Sequence, residues 1–492
     1  MYIKELVVEN IKSFDQRTAF SFSPGLNFIV GDNNCGKSTL FEAIMFLSGS
    51  KYDPDALFTT GAATPSRVEL TLAGSNLESR LSVDRFSKVR EYLHPDERNE
   101  LVLKVERSTE IRKVQQGGRS PVTLDVKKIC FWSNERSQFE NPTGIDALFR
   151  SMVDFETIWA DTIPGDTADF GATKTLGRLL SNATSPFYET PLWESFKSAH
   201  NRAFSDDDGS LSQLSQTVAD EIAQVVQDQY GQARVRFDFP LPDAAAFVKA
   251  GSLHVHDGTS ETPLDGKGTG MQRAFALAIV QLWAQYSARE DEDDKPLILL
   301  IDEPETWLHP VAQRRLASAL AKIAETQQLF VVTHSPYLLQ EFQPRVHQLI
   351  VFRDKHSNQN VTHSNDLGII NGQAPSLGEI TYRAFGICTI EFHNELYGAI
   401  TKHLSTDTRD AREKEIDDFL AQAGIEKSRD WERTNGQRYR STLPVFIRNS
   451  IHHPENQVND SFTEDDLRRS IQDLLPIVAG LENPNEAETE NG

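Results

Sequence analysis

The segment GLNFIVGDNNCGKSTLFEAI, residues 25–44, constrains the fold of this chain more than any other part of it. Residues 31–38 match the pattern G-x-x-x-x-G-K-[ST], in which backbone N–H groups and a lysine surround phosphate groups. The apolar run before the loop predicts a buried strand, and KSTLFEAIMFLSGS after it has helical periodicity and stops at a glycine. In this order the helix N-terminus directs free N–H groups at phosphates, so we expect an α/β fold built around the loop.

The residue types in the loop predict what each of them does. Lys37 is expected to reach the β- and γ-phosphates of a nucleotide, and the Ser38 hydroxyl to bind Mg²⁺. Gly31 and Gly36 let the backbone pass close to the phosphates. The predicted nucleotide-binding residues are Gly31, Asn33, Asn34, Cys35, Gly36, Lys37, Ser38 and Thr39. The cofactors expected at this loop are ATP and Mg²⁺.

Two further apolar runs end in residues that suit phosphate chemistry. LILLIDEPETWLHP would deliver Asp302 and Glu303 to the carboxyl end of a buried strand. There Asp302 is expected to hold Mg²⁺ through water, and Glu303 to act catalytically by polarising the attacking water. FVVTHSP ends the second run, and His334 within it is expected to contact the γ-phosphate. A purely structural role at the strand end is the alternative for His334.

Composition limits where the chain works and what it binds. The formal net charge of −22 means that the surface as a whole repels nucleic acid. The three cysteines form no C-x-x-C pair, which suits a reducing compartment. The N-terminus MYIKELVVEN has no signal-peptide pattern, and no apolar run reaches the ~20 residues of a membrane span. We therefore expect a cytoplasmic protein with no membrane partner.

One basic stretch, residues 101–136, is a candidate contact for nucleic acid despite the negative net charge. Its basic residues outnumber its acidic ones, and they are Lys104, Arg107, Arg112, Lys113, Arg119, Lys127, Lys128 and Arg136. A solvated protein face is the favoured interpretation, and a local nucleic-acid surface is the alternative.

The order of the apolar patterns divides the chain into regions. Short strand patterns with short turns between them follow the loop, which predicts an antiparallel lobe in a mixed-sheet α/β head over 1–375. A helical insertion is expected within the head at about 145–230, followed by an α-helical C-terminal domain over 376–480. Its predicted helices are 378–402, 407–424, 437–451 and 463–479. The acidic tail over 481–492 is predicted to be disordered.

Four segments together resemble the ABC-type ATPases of the OLD, RecF and SMC group. They are IKELVVENIKSF…GLNFIVGDNNCGKSTLFEAI, GKGTGMQRAFALAI, LLIDEPETWLHPVAQRRL and FVVTHSPYLL. The pattern IDEPExxLHPxxQ is most similar to that of OLD-type and related anti-phage ATPases. The resemblance covers about residues 1–355 and implies an ABC-type P-loop ATPase head. It also implies a homodimer or higher homo-oligomer, with ATP held between two subunits.

The same resemblance assigns residues outside the phosphate-binding loop. GKGTGMQR would be the signature loop that one subunit donates to the γ-phosphate of the other. Its matching positions are Gly268, Thr269 and Gly270, with Gly268 where the family has a serine. His309 stands where transporter-like relatives have an aspartate. Gln138, in RSQFENP, is the candidate for the glutamine that contacts the metal.

The C-terminal region bears on what the ATPase head would drive. OLD nucleases continue into a Toprim domain, whose metal-binding glutamate and Asp-x-Asp pattern are not found after Val351. The remaining pattern is most similar to the ATPase subunit of Septu-type (PtuA-like) anti-phage systems, which works with a separate HNH nuclease. The ATPase of PARIS-type systems is second. We therefore expect an ATPase that senses infection and regulates a partner nuclease of HNH or Toprim type.

Two alternatives to this function stay open. FIRNSIHHPEN places Arg448 and His453 in an Arg-x4-His arrangement that resembles HEPN ribonucleases, which would make the chain an ATP-gated ribonuclease. A helix end formed by Asn449 and Pro454 explains the same residues without catalysis. A RecF-like DNA-repair ATPase is the other alternative, and the acidic net charge argues against it.

Overall fold

The computed structural model of the protein describes the chain apart from a set of short segments. The segments left out are residues 50–51, 60, 63, 117–120, 160–174, 205–209, 233, 238, 242–243, 288–294, 307, 354–360, 371–374 and 483–492. The tail predicted as disordered over 481–492 therefore lies almost wholly outside the described residues.

Strands and helices are numbered here in chain order. The strands are β1 (Tyr2–Glu9), β2 (Thr18–Ser21), β3 (Leu26–Gly31), β4 (Arg67–Ala73), β5 (His94–Pro95), β6 (Leu101–Ser108), β7 (Arg112–Val114), β8 (Val122–Leu124), β9 (Cys130–Ser133), β10 (Gln138–Glu140), β11 (Asp154–Ile158), β12 (His254–His256), β13 (Glu261–Pro263), β14 (Leu297–Asp302), β15 (Gln328–Val332), β16 (Gln348–Phe352), β17 (Val361–His363), β18 (Arg429–Glu432) and β19 (Arg438–Ser441). The helices are α1 (Lys37–Ser48), α2 (Pro54–Leu57), α3 (Leu77–Leu81), α4 (Ser87–Arg90), α5 (Ile145–Met152), α6 (Thr175–Thr184), α7 (Pro191–Phe204), α8 (Leu211–Tyr230), α9 (Ala244–Lys249), α10 (Thr269–Ser287), α11 (Pro310–Ala324), α12 (Leu377–Phe385), α13 (Ile390–Leu404), α14 (Glu413–Gln422), α15 (Leu443–His452) and α16 (Glu464–Glu482). None of the described helices combines the length and apolarity needed to cross a membrane.

The sheet that carries the phosphate-binding loop has six strands in the order β11-β14-β15-β3-β16-β17. Its neighbouring strands are parallel, except for the antiparallel pair β16 and β17. β14 and β15 are buried along their whole length, as expected for parallel strands that are covered on both faces. Because β14, β15 and β3 are adjacent and parallel, their carboxyl ends lie side by side at one edge of the sheet.

A seven-stranded antiparallel sheet forms the other lobe of the head. Its order is β10-β9-β6-β4-β1-β2, with β5 paired to β6. Helix α1 packs against β3 and β11 of the first sheet and against β4 and β6 of the second. One hydrophobic core therefore includes α1 and both sheets, and α1 contributes Leu40, Phe41, Ile44, Phe46 and Leu47 to it. The predicted α/β head with a mixed sheet and an antiparallel lobe is confirmed.

The C-terminal region is mainly helical, as predicted, but three of the predicted helices had wrong boundaries. The predicted helix 407–424 is shorter and runs over Glu413–Gln422. The predicted helix 378–402 is two helices, because Gly386 takes a left-handed φ of 69° and ends α12. The predicted helix 437–451 begins only at Leu443, and β19 pairs with β18 in a hairpin just before it. Pro444 lies in the first turn of α15, where a proline favours the start of a helix.

By its internal contacts the chain divides into two compact units. One comprises Met1–Ala160 and Ser287–Gly492, and the other comprises Asp161–Tyr286. The second unit contains α6 to α9, nearly all of α10 and the β12–β13 hairpin, so the chain has a helical insertion, as predicted. The predicted insertion bounds of 145–230 and the predicted domain boundary at 376 stay predictions.

Gly31, at the end of β3, occupies a position that tolerates only glycine. Its φ is 139°, and a Cβ there would lie 2.1 Å from the carbonyl oxygen of Phe352. We expect Gly31→Ala to lower the free energy of unfolding by about 2–6 kcal/mol, because crowding adds to the strain of a positive φ. Chemical denaturation measures this loss.

The matched control for that substitution is Gly144→Ala. Gly144 also has a positive φ, of 88°, but a Cβ there meets nothing within 4 Å. This control therefore carries the backbone strain without the crowding. Equal losses of unfolding free energy in the two variants would contradict the crowding argument for Gly31.

Candidate nucleotide-binding site

The glycine-rich loop joins the end of β3 to the start of α1 in a tight curve. Gly36 precedes α1 with a left-handed φ of 98°, and Asn34 also has a positive φ of 66°. Lys37 is buried, and its Nζ donates hydrogen bonds to the carbonyl oxygens of Gly31 and Asp32, at 3.1 and 2.6 Å. The ammonium group therefore lies against the backbone of the loop to which it belongs.

The other predicted loop residues divide into exposed and buried positions. Asn33 and Asn34 are exposed, where a bound molecule could reach them. Cys35 is buried, and its thiol donates to the carbonyl oxygen of Asp32 at 2.8 Å. Thr39 is buried in the first turn of α1, where its N–H donates to the carbonyl oxygen of Gly36 at 3.1 Å. Cys35 and Thr39 thus support the shape of the loop from inside.

The carboxyl end of β14 brings a carboxylate to the loop, as the sequence predicted. The Ser38 hydroxyl donates a hydrogen bond to Asp302 Oδ2 at 3.0 Å, although 264 positions separate the two residues. Asp302 is buried at the last position of β14. A hydroxyl and a carboxylate are therefore held together at the N-terminus of α1.

Glu303 and His334 lie at the ends of the neighbouring strands β14 and β15. His334 Nε2 is 3.5 Å from Glu303 Oε1, and both side chains are partly exposed. The backbone of Glu303 has a positive φ of 45°, and its N–H donates to the carbonyl oxygen of Val332 at 2.9 Å. A non-glycine residue in this conformation costs free energy, and such strain concentrates at functional sites. The strained turn directs the Glu303 carboxylate to the carboxyl edge of the sheet.

Two partly buried side chains that hold this edge in place were missed by the sequence reasoning. Glu305 Oε1 accepts a hydrogen bond from the backbone N–H of His334 at 2.7 Å. Gln313 Oε1, on α11, accepts one from the Ser335 hydroxyl at 2.6 Å. Both residues belong to the pattern IDEPExxLHPxxQ, so the sequence pattern contained them, but it gave no role to either. The histidine of that pattern, His309, caps the N-terminus of α11.

The surroundings of His334 favour a neutral imidazole. Burial and the positive charge of Lys37 lower the pKa of His334, whereas the carboxylates of Glu303 and Asp32 act in the opposite direction. Burial also raises the pKa of Glu305, and its hydrogen bond from the His334 N–H opposes that rise. A neutral His334 can accept or donate one hydrogen bond through either ring nitrogen, depending on the tautomer.

The link between Lys37 and His334 is directly testable. We expect Lys37→Gln to raise the pKa of His334, because the substitution removes a positive charge that disfavours protonation. Titration of the His334 ring by NMR measures the change. Lys322→Gln, at an exposed position of α11, should leave it unaltered. A pKa of His334 that stays the same or falls in Lys37→Gln would contradict the assigned proximity.

The residues at this edge fit a magnesium nucleotide. The Ser38 hydroxyl and the Asp302 carboxylate are oxygen donors of the kind that Mg²⁺ prefers. Lys37 and the N-terminus of α1 provide the positive charge that phosphate groups need. A Cβ at Gly36 would lie 2.5 Å from Ser13 Oγ, so the close path of the loop requires glycine there. Both halves of the predicted site, phosphate cradle and metal ligands, are therefore in one place.

The predicted signature loop lies in the second compact unit. Gly268 precedes α10, and its carbonyl oxygen accepts a hydrogen bond from the N–H of Met271 at 2.9 Å. Thr269 and Gly270 form the start of α10. The role of these three residues at the γ-phosphate of a facing subunit stays a prediction.

Gln138, the candidate for the metal-contacting glutamine, lies in β10 of the antiparallel sheet. Its Nε2 donates to the carbonyl oxygen of Gln115 at 2.8 Å and to Glu140 Oε1 at 3.0 Å. These contacts hold the side chain within its own lobe. The predicted metal contact of Gln138 stays a prediction.

The basic stretch of residues 101–136 is partly neutralised by its own lobe. Its described partners are Glu69 for Lys104, Glu106 and Glu110 for Arg112, Glu140 for Arg136, and the carbonyl oxygens of Phe46 and Val126 for Arg107. Arg119 lies outside the described residues. The ion pairs favour a protein face, the preferred interpretation, over a nucleic-acid surface.

The Arg-x4-His pattern lies at the end of α15, and its two side chains have different surroundings. Arg448 lines a cavity and donates to Asn449 Oδ1 at 3.2 Å. His453 follows the helix, and its Nδ1 lies 3.3 Å from Glu455 Oε1. The histidine that lines the cavity together with Arg448 is His452. A catalytic pair of Arg448 and His453 stays a prediction, and this arrangement does not favour it.

The parallel sheet, the glycine-rich loop and the strand-end carboxylates together define the head of a P-loop ATPase. The chain matches the protein family described as "AAA domain, putative AbiEii toxin, Type IV TA system" over residues 26–340. That range is most of the chain, so the protein belongs to this family. It includes the loop, both carboxylates and His334.

Comparison with individual proteins finds similarity to the OLD, RecF and SMC proteins that the sequence patterns resemble. The Old nuclease of Escherichia phage P2 is 24% identical over 327 residues, which are 63% of this chain and 53% of that protein. The DNA replication and repair protein RecF of Streptococcus equi subsp. zooepidemicus is 43% identical over 63 residues, 12% of this chain and 17% of RecF. The chain thus spans about half of the Old nuclease and a smaller part of RecF. Its head is similar in sequence to those of the Old nuclease, Smc and RecF.

One solved structure with a similar fold is an Smc head bound to the C-winged helix domain of ScpA. It is 15% identical, covers 74% of this chain and 97% of its own, and has a TM-score of 0.43.

Proposed function

We propose that this protein binds and hydrolyses ATP, and that hydrolysis regulates a separate nuclease in defence against phage infection. The observation that carries the ATPase part is the hydrogen bond between Ser38 and Asp302, with Glu303 and His334 at the adjacent strand ends. A magnesium ligand pair beside a candidate general base is an arrangement that phosphoryl transfer to water uses.

In this proposal different residues bind the phosphates, hold the metal and activate the attacking water. Backbone N–H groups of the loop and Lys37 bind the phosphates, and Ser38 and Asp302 hold Mg²⁺. When bound, Mg²⁺ would supply positive charge that offsets the charge on the transferred phosphoryl group. Glu303 orients the attacking water and accepts its proton. His334 hydrogen-bonds the γ-phosphate, and Glu305 holds the backbone of His334 in position.

The partner nuclease is supported by the comparison and by the C-terminal domain. The chain spans 53% of a protein named as a nuclease, and the family match ends at residue 340. Beyond that point α13 to α16 and the β18–β19 hairpin enclose a core of their own. We propose that this domain docks a separate nuclease, of HNH type as in Septu systems or of Toprim type. A PARIS-like assembly is the next candidate.

The experiment that tests this function is purification of the chain together with the product of the neighbouring gene. Nuclease activity of the pair is then measured with and without ATP. The proposal expects a stable pair whose cleavage of nucleic acid depends on ATP. Failure of the two proteins to associate, or cleavage that ignores ATP, would contradict regulation by this ATPase.

Exposed apolar side chains at the start of α13 are the part of the C-terminal domain proposed to contact the nuclease. Ile387 and Ile390 are 54% and 40% exposed and close in sequence. We expect the double change Ile387→Ser with Ile390→Ser to weaken capture of the nuclease at least ~tenfold, since burial of each side chain stabilises a complex by roughly 1.5–3 kcal/mol. Co-purification measures the capture, and ATP affinity should stay unchanged.

A matched control exists in the same domain. Val458 is 67% exposed and lies in the segment between α15 and α16. Val458→Ser should leave capture of the nuclease intact. Equal capture by the control and the double variant would place the docking surface elsewhere. Removal of residues 376–492, by contrast, should abolish capture and leave a head that binds nucleotide.

The structure gives less support to the two alternative functions. An ATP-gated ribonuclease would need Arg448 and His453 at one site, and the cavity contains His452 instead. A RecF-like repair role rests on similarity over 12% of the chain. If the double variant Arg448→Ala with His453→Ala folded and assembled normally but lost cleavage of RNA, the ribonuclease alternative would replace the proposal.

A further inference from the structure

A cavity in the C-terminal domain has no role in the function proposed above. It lies between α13, α15 and the loop that follows α13, and its volume is about 420 Å³. The described residues that line it all lie within 394–452, so it is distinct from the phosphate-binding loop and the strand ends. Its size falls in the range of small-molecule sites, ~300–1,000 Å³.

The cavity presents two cationic side chains from different helices. Arg448 enters from α15 and Lys402 from α13, and Asp410 is the carboxylate at the same cavity. A guanidinium has five N–H donors, and the hydrogen bond from Arg448 to Asn449 uses one of them. His452 adds a ring nitrogen, and burial together with the charge of Arg448 lowers its pKa. Two cationic side chains beside an imidazole favour an anion with several acceptor oxygens.

A buried hydroxyl supplies independent evidence for a ligand. Tyr397 lines the cavity and is only 6% exposed. Its hydroxyl has no hydrogen-bond partner among the described residues. Its ring lies 5.8 Å from the Arg448 guanidinium. Buried hydroxyls are usually hydrogen-bonded, since an unpaired one costs ~1–3 kcal/mol. The hydroxyl is enclosed in this structure, and rotation of the ring toward Arg448 would let an acceptor oxygen of a ligand in the cavity satisfy it.

We propose that this cavity binds a small phosphate-bearing molecule, a nucleoside monophosphate, with the phosphate between Arg448 and Lys402 and the Tyr397 hydroxyl donating to it. The volume suits one nucleotide. A nucleic-acid chain is disfavoured, because Asp410 lies at the same cavity and the protein carries a net charge of −22. The C-terminal domain would therefore have a ligand site of its own, independent of the ATP site.

One position allows the cavity to be blocked without disturbing the fold. Gly398 lines it from the middle of α13, and a Cβ there would meet nothing within 4 Å. Replacing a glycine inside a helix also favours the helical state. Gly398→Leu should therefore fill the cavity while keeping or raising the temperature of unfolding.

The test is isothermal titration of the full chain carrying Lys37→Ala, which weakens the ATP site. The probes are 5′-AMP, inorganic phosphate, and an eight-nucleotide RNA without terminal phosphates. We expect 5′-AMP to bind more tightly than phosphate or the RNA, and Gly398→Leu to weaken it at least ~30-fold. Tyr397→Phe should weaken it ~tenfold, the loss expected for a hydrogen bond to a charged group, with no loss of thermal stability. Arg440→Gln, at an exposed position of the hairpin, is the charge-matched control and should change nothing.

Three results would overturn the proposal. The first is that 5′-AMP does not bind, or binds equally well after Gly398→Leu. The second is phosphate binding as tightly as 5′-AMP, which would mean a site for the anion without the nucleoside. The third is RNA binding more tightly than 5′-AMP, which would make this face a nucleic-acid surface. None of these outcomes depends on whether the head hydrolyses ATP, so failure here leaves the proposed function untouched.

Discussion

Replacing Glu303 with glutamine is expected to lower ATP turnover by at least ~100-fold, the effect of removing a positioned general base. Glutamine has the same size and keeps the backbone turn, but its amide cannot accept the proton of the attacking water. ATP affinity should change little, because the loop, Lys37 and the Ser38–Asp302 pair are untouched. Steady-state phosphate release measures turnover, and titration with ATP measures affinity.

Two further variants test whether the loss of ATP turnover is specific to Glu303. Glu325→Gln, at the exposed end of α11, removes an equal charge and should hydrolyse ATP at the normal rate. Lys37→Ala should instead weaken nucleotide binding itself, because it removes a phosphate ligand. Normal turnover in Glu303→Gln would show that Glu303 is not the general base, whatever its position beside His334.

Mixing two inactive variants is expected to restore activity if ATP is held between two subunits. Lys37→Ala disables the loop, and Gly268→Asp would place a negative charge in the signature loop. A Cβ at Gly268 meets nothing within 4 Å, so this change should not disturb its own subunit. In a random mixture half of the two-fold dimers would be mixed, each with one intact site of two, so roughly a quarter of normal turnover should return.

The same mixture has a built-in control. Lys37→Ala mixed with Glu303→Gln places both defects in the same half of each site, the half formed by the loop and the strand ends. One site of such a mixed dimer combines an intact loop with a defective base, and the other has the reverse, so no turnover should return. If the mixture of Lys37→Ala with Gly268→Asp also recovered no ATP turnover, that result would argue against a site shared between subunits.

The sequence predicted the core of the candidate site because each part is carried by a local pattern. A glycine-rich loop between an apolar strand and a helix specifies Lys37 and Ser38 without long-range information. Asp302, Glu303 and His334 each follow an apolar run, and parallel strands place such residues at one edge. The sheet order then brings them together, with β15 between β14 and β3.

What the sequence did not predict depends on pairing between distant segments. Lys104 looked available for nucleic acid, but β4 lies beside β6 and brings Glu69 to within 2.8 Å of it. That neighbour is known only once the strand order is known. The hairpin before α15 did have a local signal, Asn435-Gly436 between two charged segments, and Gly436 has a φ of 79°. The sequence prediction placed the start of the next helix at residue 437, whereas α15 begins at Leu443.

Arg107 connects helix α1 of the candidate nucleotide-binding site to the antiparallel lobe. It lies on β6, is buried, and donates to the carbonyl oxygen of Phe46 in the last turn of α1 and to that of Val126. Its guanidinium also lies 4.4 Å from the centre of the Phe46 ring. A helix whose first turn supports the phosphate-binding loop is thus anchored at its far end to the other sheet. If α1 rotated between nucleotide states, the antiparallel lobe would have to rotate with it, or the buried contacts of Arg107 would break. We therefore expect the helix and the lobe to move as one rigid body.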